Sequence, residues 1–494
     1  MPIAKCSSSG SSASLDLRRL RQHAGLAIMT EKMAFWLLIA VLAWVPFPLG
    51  SNRPWSWSLL VLAVALCWVF WSLSVWIQPD ALRFLRRLKV PLMLAGLVLI
   101  WGFIQALSWV PLSWTHPAWQ LAAEELDRPL TGSISISPWR TLTEVMKLGT
   151  YVVAAALAFM LSQRREQAQR LLSALMVIGL FYALYALLMG IAEVSQLSIF
   201  YPAYSTGPSD GRFGAPFVSQ NNFATYIGLS MLCASARLYD SAGRTLVIGR
   251  GMREFTMSAI YFVFGVGALP FAVFCMSFAM LVASGSRAGF ISGLAGMAVL
   301  LILIGINAGR GFSRRWVALA VTAIVIAMAS LFMITGENLQ GRLNALVETR
   351  AIDETRLLLW DAAIRMIADA PFLGLGLGTY EPAYPLYADR ILPFIMDKAH
   401  NDFLEFAAGI GLPAAMAWWA AILWLIAICV RGFNIRRRNR HYSLLALAVT
   451  ALVGVHSLFD FSLQIPAIAL TYAVILGMGV AQSAPSRERE SVHF

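Results

Sequence analysis

Residues Trp55–Ile77 read WSWSLLVLAVALCWVFWSLSVWI and contain no charged side chain. A basic connection follows, with Arg83, Arg86, Arg87 and Lys89. A helix of about 20 apolar residues crosses the hydrocarbon core of a bilayer, so the run predicts a transmembrane helix. The whole chain agrees, because 59% of its residues are hydrophobic and only 13% are charged, whereas soluble domains carry about 25% charged residues.

Eleven other largely uncharged runs resemble this one, which gives about twelve predicted spans. The runs lie at about Met33–Gly50, Trp55–Ile77, Pro91–Trp109, Leu148–Ser162, Leu171–Ala192, Asn222–Ala236, Met257–Ala283, Ala288–Asn307, Trp316–Thr335, Phe403–Val430, Tyr442–Leu458 and Ile465–Gln482. The predicted fold class is all-α: a polytopic integral membrane protein of about 12 transmembrane helices. A long, partly helical outer loop is expected between spans nine and ten.

The net charge of +12 follows this topology and does not indicate a nucleic-acid partner. Every second connection is short and basic, which places it in the cytoplasm together with both termini. We therefore expect a cytoplasmic disordered tail at 1–32, one transmembrane domain at 33–482 and a second cytoplasmic tail at 483–494. The longest outer loop is 336–401. Basic residues mark the inner connections at Arg83, Arg86, Arg87, Lys89, Arg164, Arg165, Arg170, Arg310, Arg314, Arg315, Arg436, Arg437, Arg438 and Arg440.

The long outer loop has a helical pattern of its own between Asp353 and Ala370. Its apolar residues recur at steps of three and four, which predicts a helix that lies on the membrane surface or caps the spans and stops at Pro371. These apolar residues, which share one face of the predicted helix, are Leu357, Trp360, Ile364 and Ile367. The glycines that follow, Gly374, Gly376 and Gly378, predict turns, because no strand precedes them and no Lys-Ser/Thr pair follows as in a phosphate loop.

Polar residues collect where three even-numbered spans begin on the outer side. Span six is entered through Arg212 to Asn222, span eight through Ser284-Gly-Ser-Arg287, and span ten through His400-Asn-Asp402. A helix N-terminus carries unpaired N–H groups and partial positive charge, so these ends suit an anion.

Arginines at these positions are either interfacial anchors or ligands for a bound anion. Arg287 interrupts a nearly continuous apolar stretch with almost no loop to solvate it, so its charge needs a carboxylate or a phosphate as partner. Arg356 opens the amphipathic helix and is a further candidate, although Asp353 and Glu354 offer a structural ion pair.

His400 is the candidate general base, since a neutral imidazole near pH 7 accepts a proton from a hydroxyl within hydrogen-bond reach. Asn401 and Asp402 are expected to orient it, and Asp402 with Glu405 has the form of a capping box. A purely structural histidine is the alternative. No Glu-x-x-His or His-x-x-x-His pair occurs on a span, so no metal site is predicted.

Taken in order, four motifs resemble the O-antigen ligase and polymerase family over residues 200 to 465. They are RFGAPFVSQNNFA at 212–224, SGSRAG at 284–289, R-x-x-x-W at 356–360 with PFLGLGLGTY at 371–380, and HNDFLE at 400–405. Members often have Asn-Pro-Asn where this chain has Gln220-Asn221-Asn222, so Asn222 is the position that matches.

The resemblance implies a metal-independent glycosyltransferase of the bacterial inner membrane with a periplasmic active site and no cofactor. Its donor is a glycan on undecaprenyl diphosphate, and its acceptor is a hydroxyl on lipid A core, another glycan or a protein. His400 takes the role of the acceptor base. Arg212, Arg287 and Arg356 take the role of diphosphate ligands, with Asn222, Asn401 and Asp402 in support.

Two other classes of protein remain as alternatives. A transporter or flippase of lipid-linked sugars commonly carries ionisable residues or broken helices at mid-membrane, whereas the span interiors here are almost free of charge. A structural membrane protein has no need of Arg287 between two apolar spans. Ligase, polymerase and protein O-oligosaccharyltransferase share one chemistry, and the motifs do not separate them.

Overall fold

The computed structural model describes residues 9–78, 82–201, 213–247, 251–307, 355–389, 396–436 and 438–484. Every regular element in these ranges is helical. The helices are Ser9–Trp44, Pro54–Ile77, Leu82–Leu85, Lys89–Gln105, Ala118–Glu125, Pro138–Leu161, Arg165–Ile191, Gln196–Phe200, Gln220–Thr245, Met252–Phe264, Ala268–Ala283, Arg287–Asn307, 355–369, Tyr380–Tyr387, Asp402–Ile410, Leu412–Ile435, His441–His456 and Pro466–Gln482, with short 3₁₀ turns between some of them.

Seven described helices are long and apolar enough to cross a membrane. An eighth is added if Met252–Phe264 and Ala268–Ala283, which meet at 64°, count as one bent span. The all-helical, polytopic membrane class is therefore confirmed, while the count of twelve stays a prediction. The ninth predicted run, Trp316–Thr335, lies outside the described residues.

The helix Pro466–Gln482 occupies the centre of the bundle, with every one of its residues buried. Small residues let its neighbours approach closely. A Cβ added at Gly477 would lie 2.2 Å from the carbonyl oxygen of Ala155 in helix Pro138–Leu161. A helix that is apolar on all sides is expected in such a buried position.

The connections that the sequence assigns to the outer side meet at one end of the bundle. Ile136 N donates to Leu375 O at 3.0 Å, and Ser286 Oγ donates to Asn221 Oδ1 at 2.7 Å. His400 lies at the same end, which we call the His400 end.

The connections assigned to the cytoplasm meet at the opposite end. Gln482 Nε2 donates to Ser162 O at 2.6 Å, and the hydroxyls of Ser443 and Ser483 lie 2.9 Å apart. The structure thus groups the connections at two ends of the bundle, as the predicted alternation of sides requires. Which end faces which compartment stays a prediction.

Two predicted runs differ from the helices that form. The first helix reaches back to Ser9, through part of the segment expected to be a disordered tail, and ends at Trp44 before Pro46 and Pro48. The tenth run, Phe403–Val430, is divided at Gly411.

Gly411 separates helix Asp402–Ile410 from helix Leu412–Ile435. Its φ of 84° lies in the left-handed region, which glycine adopts without steric cost. A Cβ at this position would also approach Phe372 O to 2.4 Å. The polar start of the tenth run is therefore a helix in its own right, and the membrane-length helix begins at Leu412.

The amphipathic helix of the long loop covers residues 355–369 and ends before Pro371, as the sequence predicts. Two residues of the predicted apolar face, Leu357 and Ile364, are exposed, and the placement of this helix on a membrane surface stays a prediction. The helix is apolar on two faces, and the face with the smaller residues packs inward. That inner face consists of Leu359, Ala362, Ala363 and Met366.

Candidate functional site

His400 lies in a turn immediately before helix Asp402–Ile410. Its φ of 51° is left-handed, which few residues other than glycine adopt. Nδ1 of the imidazole lies 3.1 Å from Oδ1 of Asp460, and the ring meets the edge of Phe461 with centroids 5.0 Å apart. The side chain remains 32% exposed. The ring is thus held through Nδ1 and is still open to a substrate.

Asp460 is completely buried and presents its carboxylate to His400. Oδ1 also accepts a hydrogen bond from Phe461 N at 2.9 Å. Burial by itself raises the pKa of Asp460, but the hydrogen bonds from His400 and Phe461 outweigh it and leave the pKa below its usual value. An ionised Asp460 fixes the tautomer with hydrogen on Nδ1, which leaves Nε2 of His400 as the basic nitrogen.

Sequence reasoning missed Asp460, although one signal pointed to it. It is the only Asp, Glu, Lys or Arg between Tyr442 and Gln482. Asn401 and Asp402, expected to orient the imidazole, form no hydrogen bond with it. They fix the backbone on either side of the turn instead.

Asn401 caps the helix that follows His400. Its Oδ1 accepts from Phe403 N at 3.1 Å and Leu404 N at 3.0 Å, while Nδ2 donates to Leu458 O at 3.1 Å. The capping box was predicted to begin at Asp402, but the N-cap is the preceding residue, Asn401. Glu405 reaches back to accept from Ala399 N at 2.8 Å.

Asp402 joins the His400 turn to the connection between the last two helices. Its Oδ2 accepts from Ser457 Oγ at 2.8 Å and from Leu463 N at 3.1 Å, and its own N–H donates to Ser457 O. Burial raises the pKa of Asp402 to about 7, against the effect of these hydrogen bonds. The two connections that carry His400 and Asp460 are thus fastened to each other beside the imidazole.

Two further helix starts come together at the His400 end. Ser219 caps helix Gln220–Thr245 through Asn221 N, and Ser286 Oγ accepts from Gly289 N at 3.0 Å at the start of helix Arg287–Asn307. The same Ser286 hydroxyl donates to Asn221 Oδ1. Two of the three helix N-termini that were expected to suit an anion are therefore adjacent.

Of the three predicted arginines, two lie within the described residues. Arg287 is the exposed first residue of its helix, beside Ser286. Arg356 is half-buried near the start of helix 355–369, within electrostatic range of His456. Arg212 and the predicted partners Asp353 and Glu354 of Arg356 lie outside the described residues. Asn222 is buried and accepts from Ser462 Oγ at 3.0 Å.

A family model described as O-antigen ligase matches residues 271–419. These residues are similar to the O-antigen ligase family, and we call them the O-antigen ligase segment. The predicted resemblance is confirmed, within narrower bounds than 200 to 465, and the match supports a glycan-processing role of the ligase or polymerase kind. The segment includes Arg287, Arg356 and His400, whereas Asn222 and Asp460 lie outside it. No curated protein is similar enough to the chain to count as a match.

The glycine-rich loop of the O-antigen ligase segment supports the far end of helix Asp402–Ile410, which follows His400 and which we call the His400 helix. Leu375 N donates to Ala408 O at 3.0 Å and Gly376 N to Gly409 O at 2.9 Å. Helix-terminal carbonyls have no partner within their own helix, so these contacts satisfy them. Gly374, Gly376 and Gly378 have φ values of 69°, 103° and 74°, which confirms the predicted turns.

Side chains from helix Lys89–Gln105 complete this support. Trp101 Nε1 donates to Ile410 O at 2.9 Å, and Gln105 Nε2 donates to Gly409 O at 2.9 Å. Gln105 also bonds to Leu373 O at 2.6 Å, so one amide holds both the helix and the loop. The His400 helix is thereby anchored at both ends.

A cavity of about 240 Å³ lies among helices Lys89–Gln105, Pro138–Leu161, Leu412–Ile435 and Pro466–Gln482. Most of its wall is apolar. Its polar lining includes Asp402, Glu405 and Gln464 from the connections around His400. The cavity suits an aliphatic chain whose polar end lies near those connections.

Within the described residues, no three His, Cys, Asp or Glu side chains are grouped so as to hold a metal ion. Metal independence stays a prediction. The polar groups at the His400 end include a histidine–aspartate pair, two adjacent helix N-termini and two arginines.

Proposed function

We propose that this protein transfers a glycan from undecaprenyl diphosphate to an acceptor hydroxyl at the periplasmic face of the bacterial inner membrane. The observation that carries the proposal is the contact between His400 Nδ1 and Asp460 Oδ1 inside a membrane protein with an O-antigen ligase segment. The reaction needs neither a metal nor a cofactor. His400 is the catalytic base, and Arg212, Arg287 and Arg356 bind the diphosphate.

The acceptor side of the reaction follows from the orientation of the imidazole. Asp460 occupies Nδ1, so Nε2 takes the proton from the acceptor hydroxyl as its oxygen attacks the anomeric carbon. The resulting imidazolium is stabilised by the adjacent carboxylate. A new glycosidic C–O bond forms while the bond from the anomeric carbon to the diphosphate breaks.

The donor side depends on positive charge at the two adjacent helix starts. A diphosphate is a good leaving group, and its developing charge is stabilised by helix N–H groups and by guanidinium side chains that bind phosphate through two N–H groups. Asn221 and Ser286 hold the start of the Arg287 helix against that of helix Gln220–Thr245. Direct attack inverts the configuration at the anomeric carbon.

Transfer of a defined undecaprenyl-diphosphate glycan by purified protein in proteoliposomes tests the proposal. We expect His400→Ala and Arg287→Ala to lower turnover by about 10²-fold or more. His116→Ala and Arg128→Ala are matched controls, because they remove the same side-chain types from the loop between helices Lys89–Gln105 and Pro138–Leu161, where His116 Nδ1 accepts from Ala118 N of the same loop. Their turnover should stay close to that of the wild type.

Two results would contradict the proposal. One is unchanged turnover in both His400→Ala and Arg287→Ala. The other is a product that retains the donor configuration, determined by NMR of the new linkage. A flippase would move the donor across the bilayer without forming any new glycosidic bond.

The identity of the acceptor separates a ligase from the related activities. Lipid A core oligosaccharide, a second lipid-linked glycan and an acceptor protein should be offered in parallel to the same preparation. Transfer to the first indicates a ligase, to the second a polymerase and to the third a protein O-oligosaccharyltransferase.

A further inference from the structure

A second histidine lies one helical turn before Asp460. His456 is completely buried, and its Nδ1 lies 2.9 Å from Ser462 Oγ. The main chain between the two is closed by a hydrogen bond from Asp460 N to His456 O at 3.0 Å. His456 and Ser462 therefore flank the carboxylate that contacts His400.

The hydrogen atoms in this contact can be assigned. Ser462 Oγ lies 3.0 Å from Asn222 Oδ1 and 3.0 Å from Thr225 Oγ1. We assign its single hydrogen to Asn222 Oδ1, an amide oxygen that can only accept, whereas Thr225 donates its own hydrogen to Asn221 O. With that assignment the hydroxyl oxygen accepts from His456, which places a hydrogen on Nδ1. A neutral His456 is thus held in one orientation by a serine that is itself held by Asn222.

Buried polar atoms on this turn show why its position needs support. Asp460 Oδ2 and His456 Nε2 are both buried and have no hydrogen-bond partner among the described residues. A buried acceptor without a partner favours any displacement that would solvate it. The contacts at Ser462 and Asn222 oppose such a displacement of the turn.

The same network reaches the proposed diphosphate site. Asn221 and Asn222 are consecutive, yet Asn221 bonds to Ser286 beside Arg287, while Asn222 bonds to Ser462. Thr225, one turn further on, also lies 3.0 Å from Ser462 Oγ. The first turn of helix Gln220–Thr245 therefore touches both halves of the site.

We propose that His456 is a positioning residue. Through Ser462 and Asn222 it fixes the turn that holds Asp460 against His400, and Asn221 keeps that turn at a fixed distance from Arg287. The inference rests on the proposed transfer reaction. Because reacting groups must meet within a few tenths of an ångström, loss of this support lowers kcat and leaves donor binding largely intact.

Three substitutions at His456 test which ring nitrogen matters. The amide nitrogen of Asn can occupy the position of Nδ1, and the amide group of Gln the position of Nε2. We expect His456→Ala to lower kcat about 10- to 100-fold with the KM for the donor changed less than about threefold. His456→Asn should restore most of the loss, and His456→Gln should not.

A second variant covers the case in which His456→Ala does not fold. Ser462→Ala removes one buried oxygen atom and should lower kcat to a similar extent. Where both single variants fold, the double variant should be no worse than the poorer single one, since both act through the same contact.

Failure of this inference can be told apart from failure of the proposed function. An inactive wild-type protein in all acceptor assays rejects the function. An active wild type, an inactive His400→Ala and a normal kcat in both His456→Ala and Ser462→Ala reject only the positioning role. Equal recovery in the Asn and Gln variants also rejects it, because the Nδ1 contact would then be immaterial.

Discussion

Asp460 Oδ1 lies 3.1 Å from His400 Nδ1, although helices Leu412–Ile435 and His441–His456 separate the two residues along the chain. The contact determines which ring nitrogen is basic and gives the protonated ring a counter-charge. The carboxylate would therefore support any proton transfer at this position by orienting the imidazole.

Asp460→Asn is expected to lower glycan transfer by about 10²- to 10⁴-fold while leaving the fold intact. The amide has nearly the shape of the carboxylate, but it neither stabilises the imidazolium nor enforces the tautomer with hydrogen on Nδ1. Turnover in proteoliposomes at equal protein measures the effect. Glu381→Gln is the control, because it changes the carboxylate that pairs with Arg140 at the same end of the bundle. Turnover of Asp460→Asn within about threefold of the wild type would mean that Asp460 is only structural.

Asn401→Ala is expected to destabilise the protein by about 1 kcal/mol through loss of the helix cap. It should also reduce transfer, since the bond to Leu458 O that holds the His400 turn is lost. Asn401→Asp keeps a cap oxygen and should retain more stability than the alanine variant. Thermal unfolding in detergent and turnover measure the two effects. Ser195→Ala, which removes another cap, should leave turnover unchanged; a parallel loss there would remove the special role of Asn401.

Stability should depend on pH through Asp402. Its pKa is raised by burial to about 7, well above the value of about 3.9 expected in an unfolded chain. A carboxyl group of this kind favours the folded state only while it is protonated, so the free energy of unfolding falls as pH rises from about 4 to about 7 and then levels off. The change amounts to a few kcal/mol at most.

Asp402→Asn should flatten that part of the stability profile, because asparagine does not titrate. The midpoint of thermal unfolding between pH 4.5 and 8 provides the measurement. An identical slope in the variant and the wild type would show that other groups cause the pH dependence.

Gly376→Ala is expected to weaken the loop that supports the His400 helix. Its φ of 103° disfavours any side chain, and the added Cβ would lie 2.3 Å from Ser135 Oγ. The cost should exceed about 1 kcal/mol from the backbone alone. Gly243→Ala is the matched control, since that helical glycine has open space around it and should gain up to about 1 kcal/mol. Equal stability of the two variants would contradict the role assigned to the loop.

Hydropathy and basic connections were sufficient to predict most of the helices and their grouping at two ends. These signals are local, because each helix must be apolar along its own length and each connection carries its own charge. His400 could be singled out for the same reason, as it precedes a polar helix start. The helix 355–369 and its end at Pro371 also follow from local spacing.

The features that escaped prediction depend on long-range packing. Asp460 contacts His400 only because the connection after His456 folds against helix Asp402–Ile410. The inner face of helix 355–369 could not be chosen from the sequence, because Leu357 and Leu359 both lie on apolar stripes and the neighbours decide which stripe turns inward. The division at Gly411 depends on a close approach to Phe372, which hydropathy does not record.

The break at Gly411 has a mechanical consequence. A membrane helix changes its tilt when the surrounding bilayer becomes thicker or thinner. Gly411 ends the helix that is held by Trp101, Gln105 and the glycine loop, so the membrane-length helix Leu412–Ile435 is a separate element. We therefore expect a change in lipid acyl-chain length to act first on Leu412–Ile435 and to have little effect on the position of the imidazole.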